Sequence, residues 1–331
     1  MNIDHFISKL HAAQNIVITT HTFPDADGIG SEIGLAMALR SMNKNVFCVN
    51  EEQLLGRYDY LDPERLVISA DMFLQQKPMA NIDLFITVDT NSFSRIGTKM
   101  SEIAKTANQQ VFIDHHPLKE SPRKEDLIDT EAAATGELVG SIIEALGVEF
   151  TKEMALPLYT AILIDTSSFR YPTVRANTHR LISKFLSTGI QAAVAYNGIY
   201  GTRKISHMRL LGTILSSASM NQKENISWIV VKEEDLLHFD IDPEDTHAFI
   251  NHLLVLENSR VALMFRNIDQ TVKISLRSDG IIDVGVIATA LGGGGHNHSA
   301  ATIIEGELKD VIDKTIPRIE ELIEQQQQQK R

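Results

Sequence analysis

Apolar positions along this chain follow two rhythms. Strand-length apolar runs occur at residues 15–20, 45–49, 82–88 and 110–113, and each is short enough to be a buried strand. Helical spacing covers 31–42, 135–146 and 152–164. Strands alternating with helices through about residue 188 predict an α/β fold with a mainly parallel sheet flanked by helices. Residues 196–219 mix Gly198, Gly201 and Gly212 with Arg203, Lys204 and Arg209 and read as a connector whose second half is helical. Beyond it the order changes: a strand at 227–232, a helix at 243–256, strands at 261–266 and 271–277, and a helix at 284–291 that runs into a glycine run. This predicts a smaller C-terminal α/β domain of different topology. The expected division is 1–190, a connector 191–222, a second domain 223–325 and a polar tail 326–331, with the Gln-rich end 325–329 frayed. No internal repeat is visible.

Composition narrows the class. A chain of 331 residues with 43% hydrophobic content fills two cores. Cys48 is the only cysteine, which excludes a disulfide framework or a thiolate zinc cluster within one chain. No run approaches the roughly 18 apolar residues that span a bilayer, and Met1-Asn2-Ile3-Asp4 lacks a signal pattern. A cytoplasmic enzyme without a membrane partner is expected, and a homodimer is compatible with it. The formal net charge of -12 argues against broad binding to long duplexes, which needs a basic face. A short anionic substrate held by cations and a few arginines fits.

The candidate chemistry is a scatter of Asp and His: His21, Asp25 and Asp27 after the first apolar run, Asp89 after the third, then Asp114-His115-His116, then Asp165 after the apolar stretch 161–164. In an open α/β sheet the carboxyl ends of parallel strands converge on one crevice. Carboxylates and imidazoles gathered there repel or compete unless cations lie between them. Mixed ligation suits Mn²⁺, Mg²⁺ or Zn²⁺, and there are enough ligands for two ions sharing one carboxylate. That is the layout of a two-metal phosphoesterase. Pro24 sets the turn, and Gly28 and Gly30 let the backbone pass close to ions or a phosphate. Singly, each motif has a plainer reading: Asp-rich turns are often solvated, Asp89 and Asp165 read as caps or turn formers, and His115-His116 as surface residues. Gly292–Gly295 reads alone as a hinge, and Arg170 as a structural or surface arginine.

Taken together, His21-x3-Asp25-x-Asp27, Asp89, Asp114-His115-His116 and Asp165 resemble the motifs of the DHH phosphoesterase superfamily. Val272-Lys-Ile-Ser-Leu-Arg277-Ser278, Asp283-Val284, the glycine run with His296, and Ser299-Ala-Ala301 resemble the DHHA1 domain. The resemblance covers nearly the whole chain, and within the superfamily it is nearest to NrnA-like oligoribonucleases and 3'-phosphoadenosine 5'-phosphate (PAP) phosphatases.

It implies that His21, Asp25 and Asp89 hold one divalent ion and that Asp27, Asp89, His115 and Asp165 hold a second. Mn²⁺ is the expected metal, with Mg²⁺ or Co²⁺ as substitutes. Catalytic roles fall to His116, Asp89 and Asp114, with Asp114 orienting the site and His116 facing the scissile phosphate. Substrate contacts fall to His116, Arg277, Ser278, Gly294, Gly295, His296 and Arg170. The implied partner is a short RNA or a dinucleotide such as pGpG or pApA, with the PAP nucleotide as a further substrate and cyclic dinucleotides as the alternative. A DHHA2-type pyrophosphatase is excluded by the glycine-rich second domain, and a RecJ-type exonuclease by the lack of room for further domains. A non-catalytic nucleotide sensor would need a broken ligand set, and every ligand is present. The chain departs from the family at Ser167, where glycine usually follows the Asp-Thr pair, which bears on the turn leading to Phe169 and Arg170.

Overall fold

The computed structural model describes residues 3–76, 81–118, 122–201, 203–223, 225–268, 270–295 and 297–329. Contacts divide the chain into two compact units, residues 1–202 and 203–331. The first runs α1 (Ile3–Ala12), β1 (Asn15–Thr19), α2 (Ala26–Ser41), β2 (Asn45–Asn50), β3 (Val67–Ser69), α3 (Ala70–Gln76), β4 (Leu84–Val88), α4 (Thr98–Lys105), β5 (Gln109–Asp114) and β6 (Leu127–Ile128). Four helices follow: α5 (Thr135–Ala145), α6 (Lys152–Asp165), α7 (Ala176–Ser187) and α8 (Ala192–Tyr200).

The six strands pair in parallel in the order β3-β2-β1-β4-β5-β6. From β1 the chain first builds outward through β2 and β3, then returns to lay β4 on the other side. The switch in direction therefore lies between β1 and β4, where an open sheet leaves a crevice at its carboxyl edge. Successive strand residues face opposite cores: Ile16, Ile18, Leu84 and Ile86 join the cluster under α2, α5 and α6, whereas Val17 and Phe85 pack with Phe73, Met100 and Ile103. That period of two is the expected pleat of strands covered on both faces.

Helix α2 starts earlier than the expected 31–42. Asp25 adopts extended backbone and caps the helix by accepting from Asp27 N and Gly28 N, so the Asp-rich segment becomes its first turn. The helix is buried almost all round, and Gly30 packs so closely on α6 that a Cβ there would lie 2.3 Å from the Pro157 carbonyl oxygen. This close pairing brings the start of α2 toward the end of α6.

The second unit contains α9 (Ile205–Ser216), β7 (Ser219–Met220), β8 (Ile226–Val231), α10 (Glu233–Phe239), β9 (Val261–Ile268), β10 (Thr271–Ser278), α11 (Val284–Ala290), β11 (Gly294–Gly295), β12 (Ser299–Glu305) and α12 (Leu308–Gln329). Its strand order is β11-β12-β10-β9-β8-β7, with β8 and β9 parallel and the other pairs antiparallel. Val261, Leu263 and Phe265 face α11 and α12, while Ala262 and Met264 face the cluster with α9. The α/β expectation therefore holds for both units.

Three details differ from the sequence reading. The expected connector divides, with α8 in the first unit and α9 in the second. The expected helix at 243–256 is two 3₁₀ segments, Pro243–Thr246 and Phe249–Val255. The Gln-rich end is the last turns of α12, carried by an amphipathic helix whose Ile319, Leu322 and Ile323 are buried. Among the described residues no helix is long and apolar enough to cross a membrane.

Candidate metal centre

His21 lies two residues beyond β1, Asp89 directly after β4, Asp114 at the end of β5, and His115 and His116 just beyond it. Helix ends complete the ring: Asp25 and Asp27 at the start of α2, and Asp165 as the last residue of α6. Asp165 thus terminates α6, the helix expected at 152–164. Gly28 is required for this convergence, because a Cβ there would lie 2.2 Å from Thr20 Oγ1 and 3.4 Å from Asp89 Oδ2. Asp89 itself has a left-handed backbone, φ 62°, a conformation Asp and Asn tolerate better than most residues.

Three sets of ligand-type atoms each lie within 4.8 Å of one another: His21, Asp25 and Asp89; Asp27, His115 and Asp165; Asp89, His115 and His116. Asp89 belongs to two of them, and its two oxygens face different partners. Oδ2 is 3.4 Å from His21 Nε2, and Oδ1 is 3.9 Å from His115 Nε2. Each imidazole is oriented from behind. His21 Nδ1 is 2.8 Å from Thr22 O, and His115 Nδ1 is 3.3 Å from Ala132 O. A carbonyl only accepts, so Nδ1 carries the proton and Nε2 presents its lone pair to the cluster. His115 Nε2 faces Asp165 Oδ2 at 3.2 Å and Asp27 Oδ2 at 3.7 Å.

Helix α5 holds this cluster through its first residues, which the sequence reading missed. Thr135 N and Gly136 N donate to the two oxygens of Asp27, both at 2.8 Å, and Thr135 Oγ1 donates to Asp89 Oδ1 at 3.0 Å. The N-terminus of a helix offers unpaired N–H groups and the positive end of its dipole, so it stabilises anions. Backbone donors carry no residue-type signature, and nothing in the motif spacing marks them.

Burial pushes the Asp27 carboxyl up to about 7, reinforced by the charge of Asp165. Burial likewise raises Asp89 well above the carboxylate range, with Asp27 adding to it, and lowers His21 against the opposing pull of Asp25. Crowded buried carboxyls that resist ionisation become favourable once a cation lies among them. Together with the oriented Nε2 atoms, that donor set fits divalent metal ions of the Mn²⁺ or Mg²⁺ kind.

Asp114 is fully buried, and its Oδ1 is paired with His116 Nδ1 at 2.7 Å. Its other oxygen has no hydrogen-bond partner among the described residues. The pair fixes the His116 ring next to His115, with ring centroids 4.9 Å apart and planes at 73°.

After Asp165, Ser167, Ser168 and Phe169 are all left-handed, with φ 49°, 65° and 63°. Glycine adopts this backbone at least cost, which gives the reason for the family's usual residue at 167. Here the serine does something glycine cannot. Arg170 donates through Nε to Ser167 O and through Nη2 to Ser167 Oγ, each at 2.8 Å, so the arginine expected at the substrate braces the turn.

In the second unit Arg277 sits on β10, between Ser299 and Ala262, and Nη1 donates to Leu276 O at 3.0 Å. Ser278 is fully buried and donates to Ile282 O at 2.7 Å. Its hydroxyl secures the loop leading to α11. Gly294 and Gly295 form exposed β11 against Ala301 and Ala300. His296 lies outside the described residues.

A buried polar chain stands behind the cluster and was not foreseen. Glu32 Oε2 accepts from Asn50 Nδ2 at 2.8 Å, and Asn50 Oδ1 accepts from Thr20 N at 3.1 Å. Burial pushes the Glu32 carboxyl up to about 8, the Asn50 hydrogen bond opposing the rise. The native state then keeps a proton that the unfolded chain releases near its ordinary value of 4.5, so this group lowers stability as pH climbs from there toward 8. Glu32→Gln removes the titration. In metal-free protein its melting temperature should exceed the wild type by several degrees at pH 8, at roughly 2 to 4 °C per kcal/mol for a domain of this size. Near parity is expected at pH 5, and a lower melting temperature for the variant at pH 8 would show that a charged Glu32 is stabilising.

Comparison with known proteins follows the same division. The DHH family, N-terminal domain, matches residues 15–162, and the DHHA1 domain matches residues 219–325. A bifunctional oligoribonuclease and PAP phosphatase NrnA from Thermus thermophilus is 28% identical over 314 residues, 92% of this chain and 89% of that protein. The cyclic-di-AMP phosphodiesterase GdpP of Bacillus subtilis is 26% identical, the match spanning 97% of this chain and 50% of GdpP. Among solved structures, an exopolyphosphatase-related protein from Bacteroides fragilis superposes with a TM-score of 0.84 at 28% identity, covering 98% of this chain and 96% of that one.

Proposed function

From the premise that the chain belongs to the DHH family of metal-dependent phosphoesterases and carries a DHHA1 domain, we propose that it hydrolyses short oligoribonucleotides to mononucleotides. The observation that carries this reading is Asp89, whose two carboxylate oxygens face His21 on one side and His115 on the other. A carboxylate so placed suits two cations held side by side, and such a pair is the tool for in-line attack on a phosphodiester.

His21, Asp25 and Asp89 would hold one ion, and Asp27, Asp89, His115 and Asp165 the other. Bound Mn²⁺, or Mg²⁺ or Co²⁺ in its place, supplies Lewis acidity that draws charge from the phosphoryl oxygens and acidifies water. The N-terminus of α5 keeps Asp27 and Asp89 in place through three hydrogen bonds, so the ligands need not reorganise during reaction. His116, held by Asp114, is the group for protonating the leaving ribose oxygen. Arg277, with the Gly294–Gly295 backbone and His296, is assigned to the non-reacting end of the substrate, where Arg offers fixed donors for a phosphate. Arg170 is assigned to the same substrate through the turn it braces.

Substrate length tests the proposal. One compact site on an acidic chain grips little of a long strand, whereas long single strands need an extended basic track. With Mn²⁺ present, labelled RNA of two to about five nucleotides should be cleaved much faster per end than a 20-mer, and EDTA should stop the reaction until Mn²⁺ is restored. The PAP nucleotide and linear and cyclic dinucleotides belong in the same assay. The similarity to GdpP makes faster turnover of a cyclic dinucleotide than of its linear product the outcome that favours the second reading. Equal rates per end on long and short RNA would remove the short-substrate assignment.

A further inference from the structure

Phe23 has no part in the centre described above, yet it sits in the same loop, two residues after His21 and two before Asp25. Its side chain is 89% exposed, more than any other large hydrophobic residue among those described. Its backbone is left-handed, φ 53°, which costs a bulky non-glycine residue on the order of 1 to 3 kcal/mol. Pro24 follows, and a residue before proline is further restricted toward extended backbone. The loop is held in this form: Thr22 N donates to Arg95 O at 2.7 Å, and Asp25 is tied into the cap of α2. An aromatic ring is thus presented to solvent at the edge of a metal centre, on a strained strap, with the exposed Arg95 on the same rim. Core packing accounts for neither the exposure nor the backbone.

We propose that Phe23 is a stacking platform for a nucleobase of the substrate, an inference that rests on the phosphodiesterase reading. The phosphate drawn to His21 and Asp25 is joined through one ribose to a base, which brings that base within reach of a ring on the same loop. Every base has a π-face, so stacking adds affinity without strict sequence choice. Arg95, exposed and tied to this loop through its carbonyl, which accepts from Thr22 N, supplies a cation for the sugar-phosphate. The platform distinguishes nucleotides from small phosphodiesters that lack a base, and it predicts a preference for purines, whose larger faces stack over more area.

The test compares wild type, Phe23→Ala and Phe23→Trp, all loaded with Mn²⁺. Substrates are a 5'-phosphorylated diadenylate and two analogues, each abasic at one of the two nucleotides. Phe23→Ala should raise KM for the diadenylate by roughly 5- to 150-fold, the range for loss of one base–aromatic stack, with kcat moving far less. One abasic analogue should show the same rise on wild type and no further rise on the alanine variant, and Phe23→Trp should restore KM. An unchanged KM in Phe23→Ala, or equal losses on the diadenylate and both analogues, would overturn the platform.

Equilibrium binding gives a readout independent of turnover. Trp228 is the only native tryptophan, so the indole of Phe23→Trp is read by difference. AMP should quench it and ribose 5-phosphate should not. Quenching by AMP in a protein that cleaves no nucleotide would sink the phosphodiesterase reading and leave the stacking surface standing; cleavage without quenching would do the reverse.

Discussion

Asp89→Asn is expected to reduce phosphodiester hydrolysis by at least about 10³-fold, beyond the 10² to 10³ that follows removal of a single electrostatic donor, and to lower bound metal below two ions per chain. The substitution is nearly isosteric. Asn tolerates the left-handed backbone at 89 and its amide oxygen still accepts from Thr135 Oγ1, so the fold should survive. What it loses is one charge placed between His21 and His115, and neither proposed ion keeps a full ligand set without it. Elemental analysis of Mn²⁺-reconstituted protein, with circular dichroism as the check on folding, reads the result. A variant that retained two ions and wild-type turnover would take Asp89 out of the shared position.

His116→Ala is expected to behave differently: kcat falls by about 10² to 10⁴, the usual contribution of a positioned acid or base, while most of the metal stays bound. The reason is the pairing of His116 Nδ1 with buried Asp114 at 2.7 Å, which commits that nitrogen to Asp114 rather than to an ion. Asp114→Asn should give a smaller loss in the same direction, since it leaves the ring present but less well oriented. His116 also belongs to a third ligand-type set with Asp89 and His115, and metal content separates the two roles. Near-complete loss of metal in His116→Ala, matching Asp89→Asn, would make His116 a ligand.

Much of the centre was legible before any coordinates. Apolar runs of strand length ending in His21, Asp89 and Asp114 point to the carboxyl edge of a parallel sheet because strand period and ligand chemistry are both local properties of the chain. The second unit was legible in outline for the same reason, since β9 and β10 alternate between two cores. Local pattern also misled. The Gln-rich end of α12 looked unstructured because composition hides the apolar stripe before it.

The sequence by itself determined the kinds of candidate ligand, their order and the sheet edge they occupy, because each is written in contiguous residues. Tertiary structure alone decided which atoms meet. The two oxygens of Asp89 are divided between His21 and His115 by the crossing from β1 to β4, and the N–H groups of Thr135 and Gly136 reach Asp27 only because α5 begins there. The inward turn of the Ser278 hydroxyl onto Ile282 O follows from its burial. Phe23 reads as one more apolar residue until the folded loop leaves it in solvent between His21 and Asp25 in the chain. Exposure, strain and hydrogen-bond direction depend on groups brought together from distant parts of the chain, and no local pattern encodes that distance.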